Sequence, residues 1–281
     1  MRRILVASAL TLALAGGQRA FAQVPFFFST GDPDGKIATA SRPDSPAGIE
    51  IESADDFILK APTTFINSAT FTGLVPTGSS VSQVVVEVYR VFPKDSDTVR
   101  TINVPTRTNS PSDVAFDTRD NLAGSLGFTT SVLASSFTAA NSVVNGINPK
   151  PNQLTGGEGA VTGQEVEFNV TFTTPLALGA DHYFFIPQVL LSNGNFLWLS
   201  APRPIVVPGT PITPDLQSWI RNASLDPDWL RVGTDITGTG PFNATFSLTG
   251  TAVPEPGSFA LLGALAVCLA GFTWRRGRHA S

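Results

Sequence analysis

Residues 165–173 read Glu-Val-Glu-Phe-Asn-Val-Thr-Phe-Thr, and this stretch decides the fold class. Apolar side chains at Val166, Phe168, Val170 and Phe172 alternate with polar neighbours. Because successive side chains of a strand point to opposite faces of a sheet, the alternation predicts a strand with one buried and one wet face. The sequence around it therefore has to be tested for further strands.

Further strand signals occur along most of the chain. Residues 83–91 are apolar on both faces and predict a central strand. The other candidates lie at residues 69–74, 126–138, 182–191, 195–199 and 242–248. Clusters of Pro, Gly, Asn, Asp and Ser separate them. Many short strands without a βαβ rhythm predict an all-β fold, an antiparallel β-sandwich of jelly-roll type, in one domain at residues 23–252.

The connections carry three signals of their own. Asn193-Gly194 between two apolar runs predicts a hairpin, because both residue types tolerate positive φ. Residues 202–214 contain five prolines and predict a long connection that covers a sheet edge. Residues 215–221 are the one stretch predicted to be helical, with Asp215 as the N-cap.

The N-terminus has the pattern of a secretory signal peptide. Arg2 and Arg3 precede an apolar run at residues 4–15, and Ala20-Phe21-Ala22 supplies the small residues that signal peptidase recognises. An apolar run of about a dozen residues is too short to span a bilayer core of about 30 Å. We therefore predict that residues 1–22 are removed and that the exported domain begins at Gln23.

The exported part is acidic and contains no cysteine. Six of the 18 basic residues lie in the two terminal segments, which leaves 12 basic against 21 acidic residues in the body. A net charge near −9 repels phosphate backbones and anionic headgroups, which argues against nucleic acid as a partner. The single cysteine, Cys268, lies in the tail, so neither a disulfide nor a cysteine metal site is expected in the body.

The C-terminal tail at residues 253–281 has three parts. Val253-Pro254-Glu255-Pro256 comes first, an uncharged apolar segment at residues 258–274 follows, and Arg275, Arg276 and Arg278 come last. As a helix, the apolar segment reaches roughly 25 Å, which suffices for a transmembrane helix. The arginines predict a cytoplasmic C-terminus by the positive-inside rule, so the body lies on the far side of the membrane.

This order of parts resembles the PEP-CTERM sorting signal of Gram-negative bacteria. The resemblance implies recognition by an exosortase, a membrane transpeptidase-like enzyme, and transfer of the body to the cell envelope or extracellular matrix. Two prolines keep the motif out of regular structure, which suits an enzyme that binds an extended chain. Ser53-Ala54-Asp55-Asp56-Phe57 and similar short stretches also resemble an uncharacterised group of such proteins, which implies no activity.

Histidine limits the catalytic options. His182 is the only histidine of the exported part, so a multi-histidine zinc site is excluded there. A Ser-His-Asp arrangement would have to use His182, and no Gly-x-Ser-x-Gly elbow accompanies it. Because Tyr183-Phe184-Phe185-Ile186 follows, we interpret His182 as the end of a core strand. The sequence therefore names no catalytic set.

Carboxylates suggest a structural calcium ion. Asp32-Pro33-Asp34-Gly35 places two oxygen donors beside a turn glycine, and an acidic cluster follows at Glu50, Glu52, Asp55 and Asp56. Such oxygens suit Ca²⁺, but the spaced ligands of an EF-hand are missing. The alternative is a set of ordinary turns and solvated strand positions, and Asp226-Pro227-Asp228 poses the same question.

Tryptophans supply the remaining ligand candidates. Trp219 and Trp229 are candidates for a sugar-stacking surface, with core packing as the alternative, whereas Trp198 is predicted to lie in a strand core. The resulting hypothesis is a non-enzymatic, matrix or envelope β-sandwich that binds polysaccharide or another matrix ligand. A secreted hydrolase on the same fold, with calcium assistance, is the alternative.

Overall fold

The computed structural model describes residues 23–46, 48–147 and 154–253, and nearly all of their regular structure is β. The only helix in these ranges is the five-residue π-helix Val232–Ile236. The all-β class is therefore confirmed. The described strands, numbered in chain order, are β1 (Val24–Ser29), β2 (Ile37–Ala40), β3 (Ile51–Leu59), β4 (Thr63–Val75), β5 (Val81–Arg90), β6 (Asp117–Asp120), β7 (Leu126–Ala139), β8 (Asn141–Val143), β9 (Val161–Leu178), β10 (Asp181–Leu191), β11 (Leu197–Ala201), β12 (Trp219–Asn222), β13 (Leu230–Arg231), β14 (Asn243–Ala244) and β15 (Phe246–Val253).

The strands form two sheets. The six-stranded sheet has the order β13-β12-β3-β10-β5-β6 and is antiparallel throughout. The nine-stranded sheet has the order β1-β15-β4-β11-β2-β8, in which β2 and β8 run parallel. In the same sheet β9 pairs along β4, β7 pairs along β9, and β14 pairs with β11. The jelly-roll strand order stays a prediction.

An aromatic core joins the two sheets face to face. The ring of Phe185 in β10 stacks on Phe246 of β15, with centroids 5.0 Å apart, and approaches Phe71 of β4 at 6.3 Å. In β9, the alternating apolar residues of the stretch 166–172 are buried, as predicted from their spacing. The core therefore includes the inward faces of β3, β4, β5, β9, β10 and β15, and Trp198 of β11 belongs to it as predicted.

The six-stranded sheet is covered on its other face as well. Phe184 of β10 points away from the core shared with the nine-stranded sheet and packs in a second cluster with Tyr89, Trp219 and Trp229. The connection at residues 91–116 contributes to this cover, since the carbonyl of Ser112 accepts a hydrogen bond from the Trp229 indole. This outer layer contains most of the buried polar groups discussed below.

Two local predictions are wrong. Residues 215–221 form no helix: Trp219–Asn222 is strand β12, and Ile220 pairs with Ser53 of β3 and Leu230 of β13. Pairing on both sides and burial outweigh the weak helix signal. Asn193-Gly194 does form a turn, with φ of 74° at Gly194, but β10 and β11 on either side of it belong to different sheets. The turn therefore carries the chain between sheets and makes no hairpin.

Candidate functional site

The C-terminal tail begins where the last described strand ends. Val253 is the final residue of β15. The rest of the predicted tail, Pro254, Glu255, Pro256, residues 258–274, Arg275, Arg276 and Arg278, lies outside the described residues, as do Ala20 and Ala22. Gln23, the first residue after the predicted signal-peptide cleavage, is exposed and precedes β1. Among the described residues, no helix is both long and apolar enough to cross a membrane.

Trp219 and Trp229 are buried, with 1% and 2% of their surface exposed. Trp229 packs edge-on against Tyr89, with ring centroids 5.6 Å apart, and its indole donates to the carbonyl of Ser112 at 3.1 Å. The guanidinium of Arg221 covers the ring of Trp229 at 4.4 Å from its centroid. A sugar stacks on an open aromatic face, so the structure contradicts the prediction of a stacking surface at Trp219 and Trp229.

Arg221 of β12 neutralises a carboxylate in the outer layer. Its Nε donates to Oε2 of Glu52, and its Nη2 donates to the Tyr89 hydroxyl at 2.8 Å. The same hydroxyl donates to Oε1 of Glu52 at 2.9 Å. All three side chains are buried, at 5% exposed or less. Removing any one of them would leave a buried polar group without its partner.

The carboxyl groups of Glu50 and Glu87 lie beside the ion pair of Arg221 and Glu52. The amide of Gln188 bridges them, because its Nε2 donates to Glu50 Oε1 at 3.2 Å and to Glu87 Oε2 at 3.3 Å. Burial and the nearby charge of Glu52 raise the pKa of Glu87 to about 8. The same two causes raise the pKa of Glu50. The raised pKa favours the protonated form of Glu87, which lessens the repulsion within the cluster.

The space between the carboxyl groups of this cluster is filled, unlike that of a glycosidase site. Such enzymes place two carboxyl groups about 5 to 10 Å apart with the substrate between them. The Tyr89 hydroxyl lies between Glu52 and Glu87, at 2.9 and 3.4 Å from their oxygens, and fills that space. The cluster instead connects β3, β5, β10 and β12. That the body is not an enzyme stays a prediction.

The acidic residues of β3 bind different partners. Oδ2 of Asp55 accepts a hydrogen bond from the backbone of Ala244 at 2.8 Å, which ties β3 to β14 of the other sheet. Burial, together with the charge of Asp56, raises the pKa of Asp55 well above its usual range. Oδ2 of Asp56 lies 2.6 Å from Nε2 of His182, the second residue of β10. These contacts point in different directions and leave no common centre for an ion.

Asp34 makes ordinary turn contacts. Oδ1 of Asp34 accepts from the backbone of Lys36 at 3.0 Å and from the Ser200 hydroxyl, while the Lys36 ammonium lies 3.1 Å from Oδ2. Asp32 is exposed. Within residues 23–46, 48–147 and 154–253, no three His, Cys, Asp or Glu side chains are arranged to hold a metal ion. The calcium hypothesis therefore gains no support from these positions.

Asp226 and Asp228 are held by arginines. Asp226 lies 2.6 Å from Nη1 of Arg221. Oδ2 of Asp228 accepts from the backbone of Asn103 at 2.7 Å, and its Oδ1 is paired with Arg100. Burial disfavours the charge of Asp228, but the hydrogen bonds from Arg100 and Asn103 outweigh it and lower the pKa. Both carboxylates thus anchor loops.

Three adjoining cavities surround Arg203 and form what we call the Arg203 cleft. Their volumes are about 300, 520 and 410 Å³, and Arg203 lines all of them. The first has a wall of polar and apolar groups that includes Thr106, Thr108, Asn109, Asp215, Gln217 and Trp219. The second has a mainly apolar wall of Pro204, Ile205, Pro211 and Ile212. The third is lined by residues that include Lys36, Asn141, Thr239 and Pro241.

The charges of the Arg203 cleft are engaged by the protein itself. Arg203 donates to the backbone carbonyls of Leu216 and of Asp215, the latter at 2.6 Å. Arg231, in the wall of the first cavity, forms an ion pair with Asp235 at 2.6 Å. By contrast, the Trp219 indole nitrogen and Oδ1 of Asp215 have no hydrogen-bond partner within the described protein. Oδ1 of Asp215 nevertheless lies 3.9 Å from Nη1 of Arg203 and forms an ion pair with it. The unpaired group of the cleft is therefore the Trp219 donor.

The sequence analysis missed this cleft because its walls come from distant segments. The tertiary structure alone brings together residues 36, 106–109, 141, 203–217 and 239–242. The run of five prolines at residues 202–214 was the one available signal, since it predicts an irregular segment at the surface.

Comparison with known proteins identifies the tail. Residues 252–278 match the family model of the PEP-CTERM protein-sorting motif, which confirms the resemblance seen in the sequence. The match implies export and a membrane-associated sorting signal. No curated protein and no solved structure matches the chain.

Proposed function

We propose that this protein is an exosortase substrate whose β-rich body is delivered to the cell envelope or extracellular matrix and acts there without catalysis. The observation that carries this proposal is the PEP-CTERM motif at residues 252–278, which starts as β15 ends. Pro254 and Pro256 follow β15 in the sequence, and prolines disfavour regular structure, which suits an enzyme that binds an extended chain.

The N-terminal segment supports the same route. Arg2 and Arg3, the apolar run and Ala20-Phe21-Ala22 form a signal-peptide pattern, and signal peptidase would release the chain at Gln23. With residues 258–274 as a transmembrane helix and Arg275, Arg276 and Arg278 in the cytoplasm, the body lies outside the cytoplasm. Exosortase would then act on the tail from the membrane.

The proposed role of the body is binding or structural. Its conspicuous carboxyl cluster is built around Arg221 and the Tyr89 hydroxyl, which favours a structural role for those groups. Its acidity and its lack of cysteine suit a durable extracellular domain stabilised by burial. A polysaccharide or another matrix component is the proposed ligand.

Changing the motif tests this proposal in the native host. The double variant Pro254→Ala/Pro256→Ala should remain in the inner membrane with its tail attached, whereas the wild type loses the tail and leaves that fraction. Pro105→Ala, at an exposed position of the body, is the matched control and should behave as wild type. Equal processing and equal location of all three proteins would overturn the proposal.

A further inference from the structure

We propose that the Arg203 cleft binds an uncharged carbohydrate chain, an inference that rests on the proposed function and gives its ligand class and site. The cleft lies beside the outer layer of the six-stranded sheet, where Trp219 of β12 forms part of its wall. Each of its cavities falls in the size range of small-molecule sites, which is about 300 to 1,000 Å³.

An unpaired donor identifies the kind of ligand atom. Trp219 is 1% exposed, and its Nε1 donor has no partner within the described protein. A buried donor without a hydrogen bond is unfavourable, so this group favours a bound acceptor. The hydroxyl group of a sugar can accept this hydrogen bond, which a cation cannot do.

The charge balance of the cleft favours a neutral ligand. The guanidinium of Arg203 is occupied by backbone carbonyls and that of Arg231 by Asp235. The carboxylate of Asp215 repels anions, and burial raises its pKa despite the nearby Arg203. Amide and hydroxyl groups at Asn109, Gln217 and Thr108 complete the first cavity. Such neutral groups, each a donor and an acceptor, match sugar hydroxyls.

The shape of the cleft favours a chain over a single sugar. The first and second cavities share Arg203 and Asp215, and the first and third share Arg203 and Pro241. The three therefore adjoin and offer room for several sugar units. The prolines and isoleucines of the second cavity present apolar surface, which suits the C–H faces of sugar rings.

Two tryptophan variants distinguish an effect on binding in the cleft from an effect on the stability of the fold. W219F removes an indole N–H that has no protein partner, so it should keep stability and weaken binding. W229F removes an N–H that donates to Ser112, away from the cleft, so it should lower stability and keep binding. We expect W219F to weaken affinity by about fivefold to tenfold, the effect of one neutral hydrogen bond.

The experiment measures binding of protein purified from its host, whatever its C-terminus, by calorimetry. The probes are neutral hexose oligosaccharides of two to six units, with uronic-acid oligomers as the charged comparison. Tighter binding of the longer neutral oligomers, weakened in W219F and in Q217A but not in W229F, is the expected result. If W219F is unstable, the affinity of Q217A for the neutral oligomers is the measurement that tests the inference.

Absence of binding across the neutral probes would overturn the inference, and so would binding that W219F and Q217A leave unchanged. Preference for the uronic-acid oligomers would also contradict it, since it requires free positive charge. None of these outcomes affects the proposed export. Processing of the tail is tested in a separate experiment, which measures the mass and the location of the protein.

Discussion

The guanidinium of Arg221 lies 4.4 Å from the ring centroid of Trp229 and joins the buried aromatic layer to the buried carboxylate of Glu52. The flat face of a guanidinium can stack on an aromatic ring while its N–H groups pair with a carboxylate. Both interactions stabilise the buried charge. This one side chain explains why the tryptophan is unavailable to sugars and why Glu52 can lie in the interior.

Replacing Arg221 should be strongly destabilising. R221M leaves the Glu52 carboxylate buried without its charge partner, which costs about 3 to 5 kcal/mol. R119M removes a more exposed arginine that pairs with Asp117 at 2.8 Å on β6, and should cost less than about 1 kcal/mol. Urea unfolding followed by tryptophan fluorescence measures both. Equal losses of midpoint in the two variants would contradict the role given to Arg221.

Stability should fall as the pH rises through neutrality. The pKa of Glu87 is about 8 in the folded protein, above its ordinary value of 4.5, so the folded state keeps a proton that the unfolded chain loses. The resulting stability is fully present below about pH 4.5 and is lost as the pH approaches and passes about 8. The raised pKa of Glu50 acts in the same direction. At about 1.4 kcal/mol for each pKa unit, the difference for Glu87 corresponds to a loss of roughly 5 kcal/mol across this window.

Two variants test the source of this pH dependence. E87Q keeps hydrogen-bonding capacity and removes the titration, so the unfolding midpoint should change less between about pH 5 and pH 9. D44N changes an exposed carboxylate and should keep the wild-type slope. An E87Q slope as steep as that of wild type would show that Glu87 is not the responsible group.

Gly73 should tolerate no side chain. A Cβ at this position of β4 would lie 2.2 Å from Cε2 of Phe196 and 2.7 Å from the carbonyl oxygen of Leu197. G73A should therefore cost about 3 kcal/mol by overpacking the core. At Gly127 of β7 a Cβ meets nothing within 4 Å, so G127A should be neutral or slightly stabilising. Thermal unfolding measures both variants. Equal shifts in the melting temperature of G73A and G127A would contradict this packing.

Removing divalent cations should leave the melting temperature unchanged. Oδ1 of Asp34 accepts hydrogen bonds from Lys36 and Ser200, and the Lys36 ammonium 3.1 Å from Oδ2 neutralises the charge, so we expect the carboxylate to need no ion. Thermal scans with chelator and with added calcium test this, because an ion that binds only the folded state raises its stability. A calcium-dependent rise that disappears in D34N would revive the metal hypothesis at this turn.

The strands were largely predictable because their signal is local. Alternation in residues 165–173 requires only that one face be buried, and it is found in β9 as expected. The apolar run at residues 83–91 predicts a strand between two neighbours, and β5 indeed lies between β10 and β6. Patterns of this kind report the environment of a segment but not its partners.

The failures concern long-range pairing. Nothing in the sequence of residues 215–221 shows that Ile220 will lie between β3 and β13. The weak helix signal therefore gave the wrong prediction. Asn193-Gly194 predicts a turn, but whether the flanking strands belong to one sheet depends on residues distant in the sequence. The burial of Trp219 and Trp229 depends in the same way on the outer layer contributed by residues 91–116.

The tail was predictable for the opposite reason. A sorting motif is recognised as a linear sequence, so Pro254-Glu255-Pro256, the apolar segment and the arginines are sufficient without any fold. The Arg203 cleft, in contrast, exists only as a product of the tertiary structure, and no single segment announces it.

The intact mass of the mature protein, with the host's exosortase present and deleted, shows whether the tail is a sorting signal. We predict an N-terminus at Gln23 in both strains, and a C-terminus near Pro254 to Pro256 only when the enzyme is present. A protein that retains Arg275 to Ser281 in both strains would contradict this prediction and would make the tail a simple membrane anchor.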